Sequence, residues 1–98
     1  MKHAFSSTAT AATTGSQPVD VQCGWDRILQ HHFLTVCEAG KLPEGIIYTS
    51  LLERGGGLPD VDTVAEQLEK LGIEAPAGFY ERIYLDEAFN EGNGFKQW

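Results

Sequence analysis

Ile28-Leu29-Gln30-His31-His32-Phe33-Leu34-Thr35-Val36-Cys37-Glu38 is the stretch whose reading decides the fold class. It has neither Gly nor Pro and is rich in aromatic and β-branched side chains, which predicts a strand. Both parities carry apolar groups: Ile28, His32, Leu34 and Val36 on one, Leu29, His31, Phe33 and Cys37 on the other. A strand without a polar face belongs inside a sheet or under cover on both sides.

Downstream, Gly40 and Pro43 mark residues 39–44 as a turn. Residues 45–51 (Gly-Ile-Ile-Tyr-Thr-Ser-Leu) read as a second strand. So short a link predicts an antiparallel hairpin. Upstream, residues 19–23 are expected to add a short third strand. Gly55-Gly56-Gly57 then breaks the chain, and a helix is predicted over 61–71. Val61, Val64, Leu68 and Leu71 form its apolar stripe. Asp60 or Asp62 can cap its start, and Gly72 followed by Ile73 fits a Schellman stop. A second helix is expected over 76–90, with Pro76 in its first turn and Gly92 capping its end. Strands followed by helices give the α+β class: a small antiparallel sheet of two or three strands, with both helices on one face.

The N-terminal stretch reads differently. Residues 6–18 are Ser, Thr, Ala, Gly, Gln and Pro, with no large apolar side chain. Such a segment is expected to stay disordered, because it buries too little to offset the entropy of ordering it. The domain organisation expected is therefore a disordered tail over 1–19 and one α+β domain over 20–98. The tail lacks the apolar run of a secretory signal and the arginines of a transit peptide, and no segment approaches the ~20 apolar residues of a membrane span. A cytoplasmic protein without membrane contact is the expectation.

The chain has 98 residues and a net charge of −7. The charge is concentrated. Residues 60–91 hold nine acids (Asp60, Asp62, Glu66, Glu69, Glu74, Glu81, Asp86, Glu87, Glu91) against Lys70 and Arg82, and the rest of the chain sums to zero. Direct nucleic-acid binding is disfavoured, because affinity for phosphates comes mainly from Lys and Arg. An anionic membrane surface is disfavoured for the same reason. A protein partner or a second copy of the chain stays open.

No motif specifies a reaction. His31-His32 between Cys23 and Cys37 invites a zinc reading, but neighbours on a strand point to opposite faces. His31 and Cys37 would lie about 20 Å apart along it, so no metal or other cofactor is expected. Two cysteines are too few for a disulfide framework and read as buried thiols. Gly55-Gly56-Gly57 precedes a helix, where phosphate loops lie, but Asp60 and Asp62 would repel an anion there. The two aspartates with Glu66 lack the further oxygens of a calcium loop. No family signature surrounds either cysteine.

Two clusters are candidate binding residues. Trp25 and Arg27 pair an aromatic with a guanidinium, as binding hot spots often do; the plainer reading packs Trp25 on the sheet and uses Asp26 or Arg27 to fix a turn. On the second helix, Tyr80 and Tyr84 interleave with Glu87 and Glu91. Phe79 with Ile83, and Leu85 with Phe89, occupy other sides, more apolar surface than a one-sided core needs. The tyrosines are then either core-margin residues or an acidic-aromatic recognition face. The function expected is a small acidic non-enzymatic protein-binding module of adaptor, regulator or inhibitor type. Two alternatives stand beside it. One is an acidic inhibitor or immunity-type protein blocking a cationic site on a toxin or nucleic-acid-binding protein; the other is a small enzyme or ligand-binding protein using the His31/His32 strand.

Overall fold

In the first strand, β1 (Lys2–Ala11), side chains alternate between two environments. His3, Phe5 and Ala9 are buried, while Ser6, Thr8 and Thr10 are exposed. One buried face with period two is enough to hold a strand. The computed structural model describes residues 1–11, 15–41, 44–92 and 94–98. β1 pairs antiparallel with β2 (Gly15–Asp26), β2 with β3 (His31–Glu38), and β3 with β4 (Ile46–Thr49). A 3-10 turn, Ser50–Leu52, follows β4. Helices α1 (Val61–Lys70) and α2 (Phe79–Ala88) cross the sheet before β5 (Phe95–Gln97) pairs parallel to β1. The strand order is β4-β3-β2-β1-β5.

The class is α+β, but two expectations are corrected. The sheet has five strands and is mixed, not two or three antiparallel ones. The N-terminal segment is a strand, not a disordered tail; of the stretch 6–18, residues 12–14 lie outside the described residues. Hydroxyls supply what apolar bulk does not. Ser7 Oγ donates to the Glu74 carbonyl at 3.2 Å and Thr10 Oγ1 to the Gly72 carbonyl at 3.1 Å, while Thr10 N–H reaches the Leu71 carbonyl at 3.1 Å. The hairpin therefore leans on the end of α1. Pro18, a residue that argues against a central strand, sits where β2 runs past the end of β3, whose pairing starts at Val19–Glu38. There the Pro18 carbonyl still accepts the Ala39 N–H at 3.2 Å, just beyond the last β2–β3 pair.

The central strand starts later than its composition predicts. Asp26 Oδ1 accepts the N–H groups of Ile28 and Leu29, both at 3.0 Å, so Arg27 to Gln30 form the β2–β3 turn. Ile28 and Leu29 are exposed at its tip. In β3 itself His32, Leu34 and Val36 are buried on the helix side, and an irregularity between Val36 and Cys37 buries Cys37 as well. The second strand ends at Thr49, because the Ser50 hydroxyl takes over the Leu34 N–H at 3.0 Å. Of the expected turn over 39–44, residues 42–43 lie outside the described residues.

α1 follows its sequence signals. Asp60 accepts the Thr63 N–H at 2.8 Å. At the other end Gly72 takes φ +66° and Ile73 N–H returns to the Leu68 carbonyl at 2.9 Å, closing the Schellman stop. Val64 and Leu68 are buried against Val19, Val21, Leu34 and Val36 of the sheet. α2 is shorter than expected and buries Phe79, Ile83 and, unexpectedly, Asp86. Phe5 and Phe79 meet edge to face at 5.0 Å. Among the described residues no helix is long and apolar enough to cross a membrane.

Candidate functional site

α2 lies against the sheet through two consecutive acids. Asp86 Oδ2 is 2.6 Å from His3 Nε2, and Glu87 Oε1 is 2.7 Å from His32 Nε2. Both histidines are wholly buried. These contacts set the rotation of the helix. With Phe79, Ile83 and Asp86 turned inward, Tyr80 and Tyr84 turn toward α1.

Two hollows lie along the seam between the helices. Tyr80 shares one of about 370 Å³ with Ala65, Glu69, Gly72, Ile73 and Glu74. Tyr84 shares one of about 160 Å³ with Asp60, Val61, Asp62 and Glu87. The pairing of Tyr80 with the end of α1, and Tyr84 with its start, shows that the helices run antiparallel and places the two hollows at opposite ends of the groove between them. Five carboxylates and two tyrosine rings line it, and no Lys or Arg does. Arg82, the one cation of α2, lies with its Nε 3.3 Å from Asp86 Oδ1.

The groove's electrostatics have identifiable causes. Hydrogen bonds from the Thr63 hydroxyl and the Thr63 N–H hold the Asp60 carboxyl below its ordinary pKa, with a smaller contribution from His32. Asp60 therefore keeps its negative charge. Burial pushes the Tyr80 phenol up, with further contributions from Cys23 and Glu69, so it stays a neutral hydroxyl. Tyr84 is the more open ring, 56% exposed. Glu87 is held in place by His32, whose own ring packs edge-on against Trp25 at 5.1 Å.

The six residues singled out in the sequence fall in different places. Tyr80, Tyr84 and Glu87 line the groove; Glu91 is exposed just beyond α2 and lines neither hollow. Trp25 is buried in β2 and its indole N–H donates to Asn90 Oδ1 at 3.0 Å. Arg27 lies in the β2–β3 turn, and Trp25 and Arg27 together border a separate hollow of about 340 Å³ with Lys2, Asp26 and Phe33. The acids of α1 and its flanks, Asp60, Asp62, Glu69 and Glu74, were legible only as caps and solvated charge. No helical spacing joins them, since Asp60 and Asp62 point to different sides and Glu74 lies beyond α1; only the packing of α2 brings them to a common seam. His3 falls within the 1–19 stretch that composition predicts to be a tail.

Reactive chemistry finds little support in the geometry. Burial pushes the Cys23 thiol up to about 12, so it stays protonated. Burial, with Asp20 and Glu38 nearby, also raises Cys37, whose Sγ donates to the Glu44 carbonyl at 3.0 Å. Both cysteines are free. His31 and His32 occupy opposite faces of β3, and among the described residues no group of three or more His, Cys, Asp or Glu is placed to hold a metal ion. Compared with family models, characterised proteins and solved structures, the chain matches none.

Proposed function

We propose that this protein is a non-enzymatic binding module that seats a lysine- or arginine-bearing segment of a partner protein in the groove between α1 and α2. The observation that carries this reading is the groove's lining: Asp60, Asp62, Glu69, Glu74 and Glu87 around Tyr80 and Tyr84, with no cation among them. Carboxylates attract a cationic side chain at range and steer its approach. An exposed tyrosine ring adds a cation–π surface worth roughly 0.5–1 kcal/mol at an open site. The net charge of −7, carried by residues 60–91, puts the long-range field on the same part of the chain. Inhibition of a toxin or nucleic-acid-binding protein at its basic site is a narrower version of the same chemistry. The reading that builds a reaction on His31 and His32 gains nothing from a His32 with no exposed surface.

The test is titration with an arginine- and lysine-rich peptide, followed by amide chemical shifts, with a glutamate-rich peptide as control. Shifts are expected at Val61, Ala65, Tyr80 and Tyr84. Tyr84→Ala should weaken binding by a hot-spot-sized amount, about 2 kcal/mol. Shifts scattered over the whole acidic surface, unaltered by Tyr84→Ala, would reject the groove as the site.

A further inference from the structure

The two edges of the sheet are finished differently. β5 is three residues long, contains Lys96 and is followed by Trp98, which is half-buried against the core. Short, charged edges resist pairing with other chains. β4, Ile46–Thr49, is the opposite edge and carries neither charge nor proline. Ile46 and Ile47 are 49% and 39% exposed there, and Leu51 and Leu52 in the adjoining 3-10 turn are 76% and 84% exposed. Four large aliphatic side chains within seven positions thus face solvent beside a backbone row paired on one side only.

We propose that this edge is a homodimer interface, in which β4 of one copy pairs antiparallel with β4 of a second. The charge distribution selects the second copy over a basic partner. Lys41, Glu44, Glu53 and Arg54 flank the strand and sum to zero, whereas the surplus acids are in residues 60–91. Two copies therefore meet at β4 without net local repulsion, and a basic segment finds no surplus carboxylate to recognise. Screening over about 8 Å at physiological salt damps repulsion between the helix layers. A two-fold axis through β4 sets residue i of one copy against residue j of the other and j against i, so one aliphatic patch serves both copies, as an isologous interface requires. The proposal does not depend on what the groove binds.

Sedimentation equilibrium of the full chain across a concentration series tests it. A monomer–dimer equilibrium is expected. Ile47→Lys, which charges the edge, and Leu52→Asp, in the exposed turn, should each raise the dimer dissociation constant about 30-fold. Circular dichroism of Leu52→Asp should match the unsubstituted protein, which separates loss of the dimer from loss of the fold. Amide exchange at Ile47 and Tyr48 should slow as concentration rises. A chain that stays monomeric to about 1 mM, or a dimer that both substitutions leave intact, would overturn the proposal.

Discussion

His3 and His32 occupy matching places and are held in unequal ways. Each is wholly buried on the helix side of the sheet, and each meets one of two neighbouring acids of α2. His3 has a partner at both nitrogens: Trp98 Nε1–H donates to its Nδ1 at 3.0 Å, and Asp86 stands at Nε2. An indole N–H can only donate, so Nδ1 carries no proton and Nε2–H donates to the carboxylate. Asp86 is itself buried; its Oδ1 lies 3.3 Å from Arg82 Nε as an ion pair, but neither of those two atoms makes a hydrogen bond. His32 has Glu87 at Nε2, but its buried Nδ1 has no partner, and the Glu87 side chain is 33% exposed. The first pair is closed to water and both of its ring nitrogens are satisfied; the second leaves one ring nitrogen orphaned, and its acid reaches solvent. Burial alone therefore does not say how much a histidine matters. What its partner can do without it says more.

The largest expected effect follows from breaking the closed pair. His3→Ala leaves a buried carboxylate short of a hydrogen bond and should cost about 3–5 kcal/mol of folding stability, read by urea unfolding. Ile83→Ala, which opens a cavity without stranding a charge, should cost about 2–5 kcal/mol and serves as the packing reference. His32→Phe should cost less than either, near 1 kcal/mol, because Glu87 can turn to water and the orphaned Nδ1 disappears. A loss as large as that of His3→Ala would show the two pairs to be equivalent. Trp98→Phe removes one hydrogen bond from the closed pair and should cost about 1 kcal/mol. Nitrogen-15 shifts sharpen the contrast: the Nε2–H tautomer is expected at His3 and should be lost or mixed in Trp98→Phe.

Alkaline pH probes the same sheet face from its centre, where Cys23 lies opposite His3. Burial raises the Cys23 thiol from its ordinary 9.0 to about 12, and burial, followed by a hydrogen bond to Glu53, raises Tyr48 from 10.0 to about 12. Between these values the unfolded chain has released protons that the folded chain still holds, so stability falls as pH rises. Melting temperature should be level up to about pH 8.5 and decline from 9 towards 12. Cys23→Ala should flatten the first part of that decline.

How far the sequence reveals this molecule depends on where its signals are local. α1 is read to within a residue, because an N-cap, an apolar stripe and a glycine stop all lie inside it. The 6–18 stretch is misread because its order comes from pairing and docking: β1 and β2 supply each other's ladder, and the α1 end holds Ser7 and Thr10. Only the alternation of His3, Phe5 and Ala9 marks β1 locally, and small residues weaken that pattern. At the groove, Tyr80, Tyr84 and Glu87 are recognisable from helical spacing. Their opposite wall on α1 is not, since pairing two helices is a tertiary fact. Asp86 is indistinguishable in sequence from the solvated acids around it; its burial follows from a histidine 83 residues away.

The parallel pairing of β5 with β1 has a consequence for how the chain is made. Trp98 and His3 meet across 95 residues, so a chain emerging from the ribosome N-terminus first carries Lys2–Ala4 of β1 as an open edge until residues 95–98 have left the tunnel. Unpaired strand edges are where nascent chains capture one another. The polar Ser6, Thr8 and Thr10 on the outward face leave such an encounter little apolar surface to bury. The composition that makes this segment look unable to fold also keeps it from sticking along the part of β1 that β5 never covers.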